Sequence, residues 1–188
     1  MSLFRDLVEL VLKHEGGYVW DPKDPGGETN FGISKRAFPK EDIKQLTRER
    51  AILLYEQHYW KPAQCELLPT RLQPIHFDTA VNCGVVTAIR LLQLAGGVQP
   101  DGIWGGRTEE AAQKVTVNRY VEQRLAYNER CIARNPALAR FRKGWTTRVQ
   151  SFLVLLLVAL LATGCMSRAE RRCLRANGAV NKAVRLCP

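Results

Sequence analysis

The chain has 188 residues, 46% of them hydrophobic, with six cysteines and a formal net charge of +10. That is enough for one domain or two small ones with a real core and no need of disulfide staples. The charge calls for an anionic partner, whether nucleic acid, a membrane surface or an acidic wall polymer. Residues 163–188 carry six basic side chains (Arg168, Arg171, Arg172, Arg175, Lys182 and Arg185) against Glu170, so +5 sits there and +5 on residues 1–162. A mildly basic body with no zinc-finger spacing, phosphate-loop motif or RNA-binding aromatic strand argues against nucleic acid.

Phe4, Leu7, Val8, Val11 and Leu12 recur at helical spacing and predict an amphipathic helix over 2–14, ended by Gly16-Gly17. Charges at Arg5, Asp6 and Glu9 interrupt any signal-peptide core, so export is expected by another route. Glu15 lies four residues after Val11 and seven after Val8, which extends the apolar stripe and aims its carboxyl toward the interior. Residues 16–34 (GGYVWDPKDPGGETNFGIS) are dense in Gly, Pro and Asp and predict a loop or short hairpin.

Thr47 is an expected N-cap for a helix to about Tyr59, and a third helix is expected over 74–95, ending at Gly96-Gly97. VQPDGIWGGRT (98–108) predicts a turn and an N-cap at Thr108, with Glu109 and Glu110 in the first turn of a long helix reaching Arg134. Asn135-Pro136 ends that helix, and another begins near Ala137. The whole predicts a mainly α fold with one functional loop.

Glu15 followed by Asp21, Asp24, Glu28, Thr29 and Asn30 suits glycoside hydrolysis, which needs one carboxyl kept protonated by burial and a second polar group in a wetter place. The plain alternative is a helix-end carboxylate with no catalytic part. Tyr18, Trp20, Trp60 and Phe77 are either sugar-stacking rings or core, with Tyr18 favoured because it adjoins Glu15. Gly16, Gly17, Gly26, Gly27 and Gly32 either let backbone approach a sugar chain or serve ordinary turns. Asp78 and Asn82, four apart on one helix face, either line a cleft or support the loop by hydrogen bonds.

No metal or cofactor is expected: HEGGY lacks the second histidine of a zinc helix, His58 and His76 have no ligand spacing, and no CxxC pair occurs. Cys83 reads as a small buried residue.

HEGGYVWDPKDPGGETNFGIS (14–34), FDTAVNCG (77–84) and DGIWGGRTEEAA (101–112), in that order, resemble the motifs of glycoside hydrolase family 108, the N-acetylmuramidases of a lysozyme-like superfamily, with its C-terminal peptidoglycan-binding region. The resemblance covers roughly residues 3–150. It implies a lysozyme-like helical domain at 1–95 and a helical peptidoglycan-binding-like region at 96–150. It implies Glu15 as proton donor and, by analogy with phage-type lysozymes, Asp24 and Thr29 positioning a water on an inverting path, with Asp21 competing for the aspartate role. Tyr18, Gly27, Asn30, Phe77, Asp78 and Asn82 are the expected substrate contacts. The implied activity is a phage or prophage endolysin cutting the β-1,4 bond between N-acetylmuramic acid and N-acetylglucosamine. Its expected partner is the peptidoglycan glycan strand, and it is expected to act as a monomer in the periplasm after synthesis in the host cytoplasm. A non-catalytic wall-binding module and a basic membrane-active lysis protein are the competing readings.

Residues 152–162 (FLVLLLVALLA) begin an apolar run reaching 166, a little short of a bilayer span. With Arg142, Lys143 and Arg148 before it and Arg168 after it able to snorkel, residues 151–166 read as an inner-membrane segment followed by a basic tail at 167–188. A buried final helix and a displaced lipoprotein-like signal ending at Cys165 are the alternatives.

Overall fold

The computed structural model describes residues 3–15, 17–20 and 27–151. They fall into two compact units, Met1–Gln64 and Cys65–Pro188. Nearly all regular structure is helical, as the periodicities predict.

In the first unit α1 spans Leu3–Glu15. Leu7, Val8 and Val11 on its apolar stripe are fully buried and Leu12 nearly so, which is the arrangement the i, i+4 spacing demands. Phe4 packs its ring 5.2 Å from that of Trp60. Two short antiparallel strands follow, β1 (Thr29–Asn30) and β2 (Ile33–Ser34), with Thr29 opposite Ser34 and Asn30 opposite Ile33. The turn between them places Phe31 and Gly32 at φ of 51° and 74°, the two successive positive values that a tight two-residue hairpin needs to match strand twist. Helix α2 (Arg48–Tyr55) is capped by Thr47, whose hydroxyl accepts the Arg50 amide. It continues into one π-helical turn, Glu56–Trp60.

The second unit opens with a 3₁₀ turn, Cys65–Leu67, and then α3 (Gln73–Cys83), α4 (Val85–Gly96), α5 (Gly106–Lys114) and α6 (Val117–Arg134). A 3₁₀ segment, Pro136–Phe141, leads into a helix, α7, whose described residues are 142–151. Its core joins Leu68, Leu72, Ile75, Leu91, Leu92, Ala95, Ala112, Val115, Tyr120, Val121 and Val149, with Trp104 packed against it. Tyr120 donates its hydroxyl proton to the Ala88 carbonyl at 3.1 Å and meets His76 Nδ1 at 2.9 Å. A hydroxyl has one proton to give, so Nδ1 is the donor in that second bond and His76 serves the core.

Three expectations about helix boundaries need correction. The helix expected over 74–95 is two helices, because Gly84 takes φ 88° and ψ 151°, a conformation a side chain would oppose. Its amide closes α3 on the Ala80 carbonyl, and its carbonyl opens α4 by accepting from Ala88. The long helix expected from Thr108 to Arg134 is likewise two. Val115 turns to an extended conformation, and Thr116 caps α6 by accepting the Arg119 amide. The carbonyls left open at the end of α5 are held by Arg71, which donates to Gln113 at 2.5 Å and to Val115 at 3.2 Å. Thr108, finally, lies inside α5 and is buried, while the N-cap position falls to Gly105.

Helices α4 and α5 approach closely at Gly96, where an added Cβ would stand 2.8 Å from Ala111 Cβ and 3.5 Å from Val115 Cγ2. Neither neighbour is a flexible chain end, so a Gly96→Ala variant is expected to lose about 1–3 kcal/mol through overpacking. A fall in the urea midpoint at unchanged slope measures this.

Among the described residues no helix is long and apolar enough to cross a membrane. The expected membrane segment lies, apart from Ser151, outside the described residues, as does the basic tail. Two of its expected snorkelling flanks are engaged otherwise: Arg142 donates to both carboxylate oxygens of Glu129 at 2.9 and 2.8 Å, and Arg148 pairs with Asp78.

Candidate active site

In the first unit, Glu15 is the last residue of α1, four positions after the fully buried Val11. Asp21 and Asp24 lie outside the described residues. The chain returns as an extended stretch in which Val19 bridges Thr29 through reciprocal amide–carbonyl bonds of 2.8 and 2.9 Å. Thr29 is therefore held between Val19 on one side and Ser34 on the other. The Lys35 amide bonds the Glu28 carbonyl at 2.8 Å and extends the ladder by one step. Gly27, at φ 70°, turns the chain into it.

Asn30 departs from its expected substrate contact. It is 7% exposed, and its side-chain amide donates to the Ile43 carbonyl at 3.1 Å and the Leu46 carbonyl at 3.5 Å. Those bonds, together with the Tyr55 hydroxyl donating to the Phe31 carbonyl at 3.0 Å, anchor the hairpin that carries Thr29. Removing a buried donor leaves its acceptors unpaired, so Asn30→Ala is expected to cost about 1–3 kcal/mol. Thermal unfolding checks the cost, and a larger loss of turnover than of stability would show the hairpin's position matters to catalysis.

Tyr18 and Trp20 flank the bridging Val19 and are 42% and 63% exposed. Rings left in water beside a polar loop fit the stacking of sugar faces. The Tyr18 hydroxyl is pushed above its ordinary pKa by partial desolvation and then by the charge of Glu28 and a hydrogen bond to it. Trp60, the other candidate ring of this unit, is buried against Phe4 and belongs to the core.

In the second unit, α3 holds Phe77, Asp78 and Asn82. Phe77 is fully buried, so the expected sugar contact gives way to core packing. Asp78 is also fully buried and accepts from Arg148 Nε of α7 at 2.6 Å. Asn82, exposed near the end of α3, accepts from the Arg124 guanidinium, which also donates to Asn128. Arg124 is 1% exposed and its guanidinium lies 6.0 Å from the Tyr127 ring centroid. Asp78 and Asn82 thus tie α3 to α7 and α6.

Arg124 and Arg148 were missed as partners of this motif. They follow Asn82 and Asp78 by 42 and 70 residues, and an arginine in an amphipathic helix ordinarily reads as solvated surface. Cys83 is half-buried rather than buried. Desolvation by its surroundings, only partly opposed by Arg124, pushes its thiol up to about 11. Burial also holds the Cys65 thiol well above its ordinary range.

The segment after α4 is organised by Gln93, 2% exposed. Its amide nitrogen, with two protons to share, lies 2.7 Å from Asp101 Oδ1, 3.0 Å from the Ile103 carbonyl and 3.0 Å from Thr108 Oγ1, and its oxygen accepts the Gly102 amide at 2.9 Å. Asp101 also accepts the Ile103 amide at 2.8 Å. That bond first, and Gln93 second, hold its carboxyl below the usual range.

A short helix ending in an acid, a small hairpin after it and a helical second unit are the parts of a lysozyme-like glycosidase. Residues 8–84 match the family Glycosyl hydrolase 108, and residues 87–150 match the family Predicted Peptidoglycan domain. The chain is similar to the solved structure of Brucella abortus SagA, with a TM-score of 0.69 and 32% identity over 82% of this chain and 94% of that one. The chain belongs to glycosyl hydrolase family 108 and is a glycoside hydrolase acting on peptidoglycan. No curated protein matches it.

Proposed function

We propose that this protein is an N-acetylmuramidase that hydrolyses the β-1,4 bond between N-acetylmuramic acid and N-acetylglucosamine. Glu15 gives its proton to the departing glycosidic oxygen. A water held by Asp24 and Thr29 adds to the anomeric carbon from the opposite face, its proton passing to Asp24, and the configuration inverts. The observation that carries the reading is the family match over 8–84, within which Glu15 closes α1 just before a hairpin that fixes Thr29.

The protein's place, on this reading, is the periplasm, where as a monomeric endolysin of phage origin it opens the wall after synthesis in the host cytoplasm. Residues 152–166 associate with the inner membrane in the same proposal. The test is to incubate the full chain with isolated Gram-negative peptidoglycan and identify the reducing ends released by mass spectrometry. Fragments ending in N-acetylmuramic acid are expected. Fragments ending in N-acetylglucosamine would overturn the bond assignment, and the absence of fragments, with binding retained, would leave a wall-binding module.

A further inference from the structure

A patch of the second unit exposes apolar side chains on a loop built too firmly for that exposure to be incidental. Val86, Arg90 and Leu94 follow one another at four-residue intervals along α4, and all three are exposed. Such spacing puts them in one row on the helix surface. The loop before α5 lies on that row. A Cβ at Gly102 would meet Val86 Cγ1 at 2.7 Å and Arg90 Nε at 3.0 Å, and Arg90 Nη2 donates to the Asp101 carbonyl at 3.4 Å. Ile103, which follows Gly102, is 70% exposed, and Val86 is 51% exposed. The polar contacts of the buried Gln93 fix this loop, so Ile103 is presented by a rigid frame and little order is lost when something covers it.

Arg90 and the exposed Arg107 make the rim basic. Asp101 lies near Arg107, yet its carboxylate is taken up by Gln93 and the Ile103 amide. Glu110 on α5 is paired with Lys114 at 2.8 Å.

We infer that Val86, Arg90, Leu94, Ile103 and Arg107 form a binding site for the acidic stem peptide of peptidoglycan, distinct from the glycan-cleaving residues. The inference rests on peptidoglycan being the substrate and adds which part of it this surface takes. The chemistry selects the peptide over the sugar chain. Branched aliphatic side chains complement alanine methyl groups, whereas sugar faces favour flat rings, and the five residues include none. Free carboxylates of the peptide suit the guanidinium groups, which bind carboxylate in a two-pronged fashion. Four of the five residues fall within 87–150, the part matching the peptidoglycan domain.

The test titrates the isotope-labelled full chain with two soluble probes, the tetrapeptide Ala–Glu–diaminopimelate–Ala and a peptide-free N-acetylglucosamine oligomer. The methyl resonances of Val86, Leu94 and Ile103 are expected to shift with the tetrapeptide and stay in place with the oligomer. An Arg90→Gln/Arg107→Gln variant whose unfolding midpoint matches the wild type is expected to bind the tetrapeptide at least tenfold more weakly. Methyl groups that ignore the tetrapeptide, that move with the oligomer instead, or that respond unchanged in the double variant would each overturn the inference. The tetrapeptide has no glycosidic bond, so these outcomes are read independently of whether the chain releases muramic-acid ends.

Discussion

Glu15→Gln is expected to lower turnover on isolated peptidoglycan by about 10²–10⁴-fold, the range that a positioned general acid contributes. The amide keeps the size of the carboxyl and its capacity to hydrogen-bond but has no proton to transfer. Binding to the wall should therefore persist while kcat falls, which sedimentation with peptidoglycan and reducing-end release measure side by side. A variant that sediments normally and still cuts within a few-fold of wild type would remove Glu15 from the mechanism. A variant that neither binds nor cuts is resolved by its unfolding midpoint, since residual structure at wild-type stability assigns the loss to the site.

Much of this arrangement was legible because local rules and tertiary packing agree. The stripe of Leu7, Val8 and Val11 is both a 3.6-residue pattern and a fully buried face, so periodicity alone placed α1 and the position of Glu15 at its end. The stretch 16–34, dense in Gly, Pro and Asp, announced a loop or short hairpin, and a hairpin forms at 29–34. What escaped was decided at longer range. A single glycine at 84 in an apolar stretch reads as tolerable inside a helix, and only its φ of 88° separates α3 from α4. Thr108 and Thr116 are equally good caps by composition. Gln93, fifteen residues before Thr108, claims that hydroxyl for the interior; the N-cap position of α5 falls to Gly105, and Thr116 caps the separate helix α6. Asn30 and Phe77 looked like substrate contacts because they sit in motifs, but motif membership does not distinguish a residue that touches sugar from one that holds the frame. Their burial makes that distinction.

The largest stability effect is expected from Asp78→Asn. Asp78 is fully buried and its partner Arg148 is 12% exposed in the side chain, while the nearly inaccessible Arg124 is held by the neutral side chains of Asn82 and Asn128. Asparagine fills the same space but leaves guanidinium charge in a region of low dielectric without its carboxylate. Removing one member of a buried pair costs about 3–5 kcal/mol, far more than the pair itself adds over an apolar replacement. For a chain of this length that lowers the melting temperature by on the order of 10 °C. The comparison that isolates the cause is Asp78→Leu/Arg148→Met, which removes both charges and is expected to recover most of the lost stability. If the double variant is no more stable than Asp78→Asn, the loss comes from packing around α3, and the ion pair is not what ties that helix to α7.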